Sequence, residues 1–499
     1  MFEQIFKSIL TSKVYDLAIR SPLEYAGRLT QRTGKNVYLK REDLQPVFSF
    51  KLRGAYNRMA HLSPEEKRNG VIAASAGNHA QGVAMSARHM GIHSLIVMPA
   101  TTPVIKIQAV RALGSEIILY GDSYQEAAVH AQNKSLEMDK VFIHPFDDPL
   151  VIAGQGTIGF DILQQLSDVD AVYIPVGGGG LLSGIALCIK ELKPEIKIIG
   201  VQPEDSCAMK MSLAKGERIS LDYVGIFADG VAVKRVGELT FAISQKYVDD
   251  IVTVTTDEIC TGIKAAYEDT RMVLEPAGAL AVAGILKKRT SHFKNIVAVN
   301  SGANMNFDRL QFVSERTRVG EGSEALFAVT IPERPGALRE LTGQFLSGKN
   351  ITEFNYRMNP GEPAQIFFGF SIESYSDRDE MRRRLFEYGY ACSDLTDNEL
   401  AKVHIRHMVG GRSRLVENEV LYRFQFPERK GALSHFLSSM SETWNISLFH
   451  YRMHGGDFGR VLVGLQIPSL EKDKFSQFLG DMNFYYFEET ENPAYRLFL

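Results

Sequence analysis

The stretch NVYLKREDLQPVFSFKLRGAYNRMAH, residues 36–61, gives the first indication of both the fold and the chemistry of this chain. Asn36–Lys40 has the apolar pattern of a strand, and Lys51–His61 has the pattern of a helix. Lys51 therefore opens a helix, where the helix dipole disfavours a cation and favours loss of the proton. A neutral lysine amine is a nucleophile that condenses with aldehydes. A solvated lysine in a first helical turn would have the same pattern, so other motifs must decide.

Three other buried strands run directly into loops of small or polar residues. These strand and loop pairs are Val71–Ser75 with Ala76–His79, Ala171–Val176 with Gly177–Gly180, and Ile296–Val299 with Asn300–Asn304. Open α/β sheets bind ligands at the carboxyl ends of their strands. We therefore expect the three loops to form one site, with the Asn78 amide and the Ser301 hydroxyl among its polar groups.

Gly177–Gly180 is a run of four glycines, which lets the main chain curl tightly. Successive amides and the N-terminus of the following helix can then hold a phosphate without a cationic side chain. The loop lacks the P-loop lysine and the G-x-G-x-x-G spacing, which argues against a nucleoside triphosphate and disfavours a dinucleotide. A compact monophosphate fits better, although the glycines alone could form a tight turn and Ser301 alone could cap a helix.

Together these motifs match the separate parts of one cofactor, pyridoxal 5'-phosphate. Lys51 supplies an amine for the aldehyde, and Asn78 supplies an amide for the phenolic oxygen. The glycines form a cradle for the phosphate, and Ser301 offers a hydroxyl to the pyridine nitrogen. Each motif has another explanation on its own, but a chance combination of all of them is improbable.

The motifs Ser49–Ala55, Ser75–Gly82, Gly177–Leu181 and Ser301–Asn304 resemble those of the fold-type II pyridoxal-phosphate enzymes. Within that group the chain is most similar to the biosynthetic threonine dehydratases (threonine ammonia-lyases), over essentially its whole length. The resemblance implies Lys51 as the Schiff-base lysine. It implies further cofactor contacts from Phe50 against the ring, Asn78 on the ring oxygen, Gly177, Gly178, Gly179, Gly180 and Leu181 around the phosphate, and Ser301 at the pyridine nitrogen. It implies Ser75, Gly77, Asn78 and His79 as the residues that receive the substrate carboxylate.

Alternating β-like and α-like segments fill the first three hundred residues, which predicts an α/β fold with a doubly wound parallel sheet covered by helices. We assign residues 1–318 to this catalytic domain. Glu315–Glu324 is charged and contains glycine, and we place a linker at residues 319–324.

The remainder of the chain repeats itself. Ile331–Leu338 recurs as Phe426–Leu433 and Asn350–Arg357 as Asn445–Arg452, both with an offset of 95 residues. Each copy has the pattern of a ferredoxin-like βαββαβ unit, and we assign these modules to residues 325–401 and 418–499. The duplication could be purely structural. The pair resembles the ACT-like regulatory domains of biosynthetic threonine dehydratases, which implies that it binds amino-acid effectors.

Tyr356 and Tyr451 occupy equivalent positions in the two copies. A phenol there could close over an aliphatic amino acid, so both tyrosines are candidate effector contacts. They could equally pack between the modules. The expected effectors are isoleucine and, as a second candidate, valine.

The composition agrees with a soluble metabolic enzyme. A formal net charge of −3 with mixed signs gives no basis for nucleic-acid binding, and no apolar run is long enough to span a membrane. Cys188, Cys207, Cys260 and Cys392 lack CxxC spacing, which disfavours a disulfide framework or a zinc site. The amphipathic segment Met1–Arg20 has no cleavage signal, so we expect a cytoplasmic protein.

The resemblance implies dehydration and deamination of L-threonine, with L-serine as an alternative substrate. The products are 2-oxobutanoate and ammonia, in the first committed step of isoleucine biosynthesis, and the family implies a homotetramer. Lys51, once freed from the cofactor, is the expected base at the α-carbon. The cofactor phosphate is the expected proton donor to the leaving hydroxyl, with Glu275 as the alternative.

Three other functions remain open. A serine racemase would need a second base on the opposite face of the α-carbon, where related racemases have serine and this chain has Ala76. An amino-acid-sensing protein with a dead catalytic domain is disfavoured by the intact Lys51 and Asn78. A β-replacement synthase has no need for the duplicated module.

Three departures from the family pattern concern the outer pocket and a cation site. Phe48 stands where histidine or glycine often precedes Ser-Phe-Lys, and Ala277 replaces a frequent serine. Gln202 stands where cation-binding relatives carry glutamate. We therefore predict no metal site, although Glu204 could substitute if its loop shifts.

Overall fold

The structure is a computed structural model of the chain. It describes residues 1–287, 293–332, 337–347, 349–356, 363–407, 418–427, 436, 439–441, 443–452, 458–482 and 484–498, with only the main chain for residues 338, 339, 356, 451 and 452. The chain divides into two compact units, Met1–Arg309 and Leu310–Leu499.

Two sheets form the centre of the first unit. Its strands are β1 Leu23–Tyr25, β2 Asn36–Arg41, β3 Val71–Ala74, β4 Ser94–Met98, β5 Glu116–Leu119, β6 Val141–Phe142, β7 Ala171–Pro175, β8 Lys197–Pro203, β9 Asp250–Val254 and β10 Asn295–Asn300. The larger sheet has the order β1-β2-β10-β7-β8-β9, and the smaller has the order β5-β4-β3-β6. Every pair is parallel except β1 with β2. The predicted doubly wound parallel architecture is confirmed.

Helices cover both faces of the sheets. They are α1 Phe2–Leu10, α2 Gly27–Thr33, α3 Lys51–Ala60, α4 Pro64–Asn69, α5 Asn78–Met90, α6 Val104–Ala112, α7 Tyr124–Glu137, α8 Pro149–Gln165, α9 Gly180–Leu192, α10 Ala208–Lys215, α11 Glu238–Tyr247, α12 Thr256–Thr270 and α13 Leu280–Lys287. Val172 and Val299 of the larger sheet share a core with the buried faces of α8 and α9. Those two helices approach so closely that a Cβ on Gly184 would lie 2.5 Å from the carbonyl oxygen of Ile152.

Two antiparallel sheets form the second unit. Helix α14 Arg309–Gly320 precedes them. The strands are β11 Glu324–Ile331, β12 Ile351–Tyr356, β13 Ala364–Ser371, β14 Ala391–Asp394, β15 Glu419–Pro427, β16 Asn445–Arg452, β17 Phe458–Gln466 and β18 Tyr485–Glu488, and the helices are α15 Ala337–Leu341, α16 Tyr375–Glu387, α17 Glu399–Val403, α18 Lys472–Asp481 and α19 Pro493–Phe498. The sheet orders β12-β13-β11-β14 and β16-β17-β15-β18 are equivalent, which confirms two ferredoxin-like modules. The sequence-predicted helix after Phe426 lies outside the described residues apart from isolated positions.

The two modules also repeat local detail. The register shifts at Thr352 in β12 and at Ser447 in β16, which are 95 residues apart. One shared core contains Leu326 with its repeat equivalent Leu421, and Phe367 with its repeat equivalent Leu462. One face of each sheet is therefore buried in a single apolar cluster, and the opposite faces, with Phe327 and Phe424, belong to two separate cores.

The segment predicted to be a linker is ordered for much of its length. Helix α14 continues to Gly320, and only residues 321–323 separate it from β11. Arg316, in the charged stretch Glu315–Glu324, is 3% exposed, and the Glu399 carboxylate of α17 compensates its charge at 2.9 Å. The domain bounds drawn from sequence stay a prediction.

Candidate active site

The main chain around Lys51 is held by the loop that follows β10. The Phe50 N–H donates to the Ser301 carbonyl at 3.1 Å, and the Ala303 N–H donates to the Phe48 carbonyl at 2.9 Å. Phe48 has a φ of 53°, a left-handed conformation that is uncommon outside glycine. These bonds fix the start of α3, and with it Lys51, against the carboxyl end of the larger sheet.

Lys51 has the electrostatic environment of a nucleophilic amine. Its Nζ donates to the Pro145 carbonyl at 2.8 Å. Burial lowers the pKa of Lys51 to about 8, and the nearby Glu275 carboxylate opposes this shift. Burial is thus the main cause, where the sequence suggested the helix dipole. A substantial fraction of the amine is neutral near pH 8.

The glycine loop packs so closely against neighbouring residues that it has no room for side chains. A Cβ on Gly178 would lie 2.4 Å from the Phe146 ring, and one on Gly179 would lie 2.8 Å from the Thr240 hydroxyl. Gly179 also has a φ of 100° and directly precedes α9. The Thr240 hydroxyl and the Gly237 N–H both donate to the Gly178 carbonyl, at 2.7 and 3.2 Å, and so fix this part of the loop. Leu181, in the first turn of α9, is buried.

Ser75, Gly77, Asn78 and His79 lie together at the turn between β3 and α5. The Gly77 N–H donates to the Ser75 hydroxyl at 3.2 Å. The His79 Nε2 lies 2.8 Å from the Ile143 carbonyl. Burial, and to a smaller extent the charge of Lys51, lowers the pKa of His79 to about 3. His79 is therefore neutral, with its Nε2–H donating to the main chain.

A relay of side-chain amides crosses the site. The Asn304 Nδ2 donates to the Val47 carbonyl at 2.8 Å and to the Asn78 Oδ1 at 2.7 Å. The Asn78 Nδ2 in turn donates to the Glu275 carboxyl at 2.6 Å. Ser301 is 3% exposed, and its hydroxyl lies 3.5 Å from the Ala277 carbonyl. The sequence-predicted residues Asn78 and Ser301 thus belong to one polar wall.

A charge cluster lies beside this wall that sequence analysis missed. Lys106 of α6 pairs with Asp229 at 2.7 Å, and Arg309 lies 3.5 Å from the same carboxylate. Burial alone would raise the pKa of Asp229, but Lys106 and Arg309 hold it well below its usual range. Burial, with the charge of Asp229, raises the pKa of Glu275 to about 7. The sequence analysis named Glu275, but no motif marks Lys106, Asp229 or Arg309, because these three come together from distant parts of the chain.

Gln202 and Glu204, the residues considered for a cation site, both contact other protein groups. The buried Gln202 amide donates to the carbonyls of Val176 and Ser206 at 3.3 and 3.2 Å. The Lys287 ammonium lies 3.3 Å from Glu204 and 2.9 Å from Glu258. Within the described ranges, no group of three or more His, Cys, Asp or Glu side chains is arranged to hold a metal ion.

The candidate effector residues lie in the second unit. Tyr356 pairs with Ile366 across β12 and β13, and Tyr451 pairs with Val461 across β16 and β17. Their main chains are equivalent in the two modules. Both side chains lie outside the described part of the chain.

Comparison with known proteins places these features in a family. Residues 14–302 match the model of the pyridoxal-phosphate dependent enzymes, and residues 315–405 and 410–499 match that of the C-terminal regulatory domain of threonine dehydratase. The L-threonine dehydratase biosynthetic IlvA of Burkholderia multivorans is 53% identical, with coverage of 99% of this chain and 98% of the relative. The chain belongs to the biosynthetic threonine dehydratase family.

Other members and solved structures agree. The Escherichia coli IlvA is 47% identical, with coverage of 99% of this chain and 97% of the relative. The processed form of threonine deaminase isoform 2 from Solanum lycopersicum is 52% identical, with a TM-score of 0.62, and covers 63% of this chain and 93% of its own. Maize serine racemase is 30% identical, with a TM-score of 0.59, and covers 62% of this chain and 96% of its own. The threonine dehydratase family therefore shares its catalytic fold with a racemase.

Membership of this family makes the chain a pyridoxal-phosphate-dependent enzyme with a C-terminal regulatory region. Among the helices that the structure describes, none is long and apolar enough to cross a membrane.

Proposed function

We propose that this chain is a lyase that converts L-threonine to 2-oxobutanoate and ammonia, the first committed step of isoleucine biosynthesis. The observation that carries the proposal is the Lys51 amine, with a pKa lowered to about 8, at the meeting point of the strand-end loops. The names of relatives that match over nearly the whole chain support threonine as the substrate. L-Serine, which has the same β-hydroxyl, is the alternative substrate.

The residues at the site fit pyridoxal phosphate. Gly177–Gly180 and Leu181 would surround the phosphate, since four glycines directly before α9 bring main-chain amides and a helix N-terminus together. Asn78 would donate to the ring oxygen, and Phe50 would lie against the ring beside Lys51. The Lys51 amine would hold the aldehyde carbon. When bound, the cofactor withdraws electrons from the α-carbon of the substrate and so acidifies its hydrogen.

Lys51 is the proposed base. Its neutral amine can accept the α-hydrogen as a proton, and the Pro145 carbonyl at 2.8 Å offers the resulting ammonium an acceptor. Deep burial favours the neutral form before the reaction. The same residue therefore serves in cofactor attachment and in proton transfer.

The turn between β3 and α5 is the proposed carboxylate site. Ser75, Gly77, Asn78 and His79 lie where a strand ends and a helix of 13 residues begins, which favours an anion. The neutral His79 would contribute its main-chain N–H, since its Nε2–H is committed to Ile143. A carboxylate held here would orient the α-hydrogen toward Lys51.

Ser301 and Glu275 are proposed to set which groups of the site hold protons. The Ser301 hydroxyl is a neutral partner for the pyridine nitrogen, and an aspartate there would hold that nitrogen protonated. This moderate electron withdrawal favours β-elimination over transamination. Glu275, with a pKa raised to about 7, can hold a proton beside Asn78 at neutral pH.

The second unit is proposed to sense amino acids, with isoleucine and valine as the effectors and Tyr356 and Tyr451 as candidate contacts. Match to a threonine dehydratase regulatory domain supports an effector of this class. We further propose a homotetramer and a cytoplasmic location, which agrees with a chain that has few cysteines and no CxxC spacing. Residues 325–401 and 418–499 remain the proposed module bounds.

The direct test is formation of 2-oxobutanoate from L-threonine by the purified protein with pyridoxal phosphate, with and without isoleucine. We expect turnover that isoleucine reduces. Lys51→Ala should abolish turnover with an unchanged circular dichroism spectrum, and Lys7→Ala, on the exposed face of α1, is the matched control. Wild-type protein that binds the cofactor but releases no 2-oxo acid would overturn the proposal.

A further inference from the structure

The amide relay runs from Asn304 through Asn78 to Glu275, and its direction from donor to acceptor is set by the Val47 carbonyl, which can only accept a hydrogen bond. A side-chain amide can normally be turned over, because its oxygen and nitrogen are similar in size. The Val47 carbonyl can only accept, so the Asn304 group 2.8 Å from it must be the Nδ2. The second hydrogen on that nitrogen then points to Asn78, 2.7 Å away, and that atom must be the Asn78 Oδ1.

The orientation of Asn78 follows from that of Asn304. With its Oδ1 on Asn304, the Asn78 Nδ2 faces the Glu275 Oε1 at 2.6 Å. This nitrogen carries two hydrogens, and one of them is used by Glu275. Among the described residues, the second hydrogen has no acceptor, and it is the donor that the proposed function requires for the ring oxygen of the cofactor.

Loss of Asn304 would remove the constraint on this orientation. Asn78 could then turn its Oδ1 toward the cofactor, where an oxygen facing an ionised ring oxygen is repulsive. Glu275 could still stabilise either orientation, because its raised pKa leaves it partly protonated near neutral pH. Asn304 is thus the residue that fixes the orientation of the Asn78 amide, because its own orientation is fixed by the Val47 carbonyl.

We propose that Asn304 is a positioning residue that acts through Asn78, by keeping one Asn78 Nδ2–H directed at the ring oxygen of pyridoxal phosphate. This inference rests on the proposed function, since it assumes that the cofactor is bound at Lys51. The relay also joins the segment before Lys51, the start of α5 and the loop after β10, so that the donor and the lysine share one framework.

Asn304→Asp is the sharpest test, because it keeps the shape of the side chain and replaces the donating nitrogen with an acceptor. We expect the pH midpoint of the absorption change of the bound cofactor to rise by about one unit, as for loss of one hydrogen bond to a charged group. The kcat should fall with a smaller change in KM. Asn133→Asp, on the exposed surface of α7, adds the same charge and should change neither quantity.

A double-mutant cycle distinguishes an effect of Asn304 through Asn78 from an effect in which Asn304 only holds the main chain at Val47 in place. In an Asn78→Ala background, Asn304→Asp should cause no further spectral shift, because its route to the cofactor is gone. Additive shifts in the double variant would overturn the inference. If Asn304→Asp does not fold, Asn304→Ser serves in the same cycle. Wild-type protein that shows no cofactor band would instead overturn the proposed function, so the two failures are distinguishable.

Discussion

Lys106 and Asp229 form an ion pair of 2.7 Å that connects the part of the first unit built around the smaller sheet with the part built around the larger sheet. Lys106 lies in α6, between two strands of the smaller sheet, and Asp229 follows β8 of the larger sheet. The pair lies beside Glu275, whose pKa responds to both charges. The position of the smaller sheet, which carries Lys106, therefore affects the pKa of Glu275.

Lys106→Met should weaken substrate binding more than chemistry. The variant loses the link between the sheets and leaves Asp229 paired with Arg309 alone. We expect a severalfold rise in the KM for L-threonine, consistent with about 1 kcal/mol for a partly exposed pair. Steady-state kinetics checks this, with Lys134→Met, from the exposed pair with Glu137, as the control. Equal KM values in both variants would contradict it.

Glu275→Gln should remove a pH dependence of stability. The pKa of Glu275 rises from 4.5 to about 7 on folding, so between these values the folded chain holds a proton that the unfolded chain has lost. Stability from this group is full below pH 4.5 and is lost as the pH rises through 7, by about 3 kcal/mol in total. Asp229, Lys106, Arg309, Asn78 and Lys51 are the groups that face it and set the midpoint.

The measurement is the free energy of unfolding in urea at several pH values for the wild type and Glu275→Gln. The difference between them should change across pH 4.5–7 and be flat above pH 8. Glu217→Gln, at an exposed glutamate paired with Lys215, should show no such change. A wild-type profile that stays parallel to Glu275→Gln throughout would show that the carboxyl is ionised in the folded protein.

Gly179→Ala should reduce cofactor affinity by tenfold or more. Its Cβ would lie 2.7 Å from Met209 and 2.8 Å from Thr240, at a φ of 100°. Gly216→Ala is the matched control, because Gly216 has a φ of 78° and nothing within 4 Å of the added carbon. The control should cost about 1 kcal/mol of stability and leave affinity unchanged. Titration of the unloaded protein with pyridoxal phosphate, followed by fluorescence, distinguishes the two.

Ala76→Ser should introduce racemisation of serine. The wild type has a methyl group where a racemase would need a second base, and a methyl group cannot move protons. We expect little D-serine from L-serine with the wild type and more with Ala76→Ser, while elimination continues. Chiral chromatography of the products measures both. Abundant D-serine from the wild type would show that Ala76 is no barrier.

Truncation after Gly322 should leave the threonine reaction insensitive to isoleucine. The cut retains all of α14 and removes both modules. The solved tomato chain, which matches only 63% of this one, has a similar extent. Turnover should persist at a rate within severalfold of the full chain, and isoleucine should have no effect on it. Continued inhibition by isoleucine would place the effector site in the first unit.

The catalytic fold and the cofactor loops could be predicted from sequence because each is local. Asn78 and the glycines follow a strand within a few residues, and Lys51 begins the helix after β2, so the order of strand, loop and helix reveals them. The Lys106–Asp229 pair could not be predicted from sequence, because its members are 123 residues apart in the chain and meet only in the folded first unit. The cause of the lowered Lys51 pKa was also hidden, because burial is a property of the assembled site.

The shared core of the two modules makes each copy cover a face of the other. Leu326 and Leu421 are the same position of the repeat, and both are buried in one cluster. A module separated from its neighbour would expose this face and could cover it by associating with a second copy, at a strength that depends on concentration. Two copies in one chain make that association intramolecular, which removes the dependence on concentration. The copies nevertheless differ in polar detail, since Glu324 pairs with an arginine and Glu419 with hydroxyl groups.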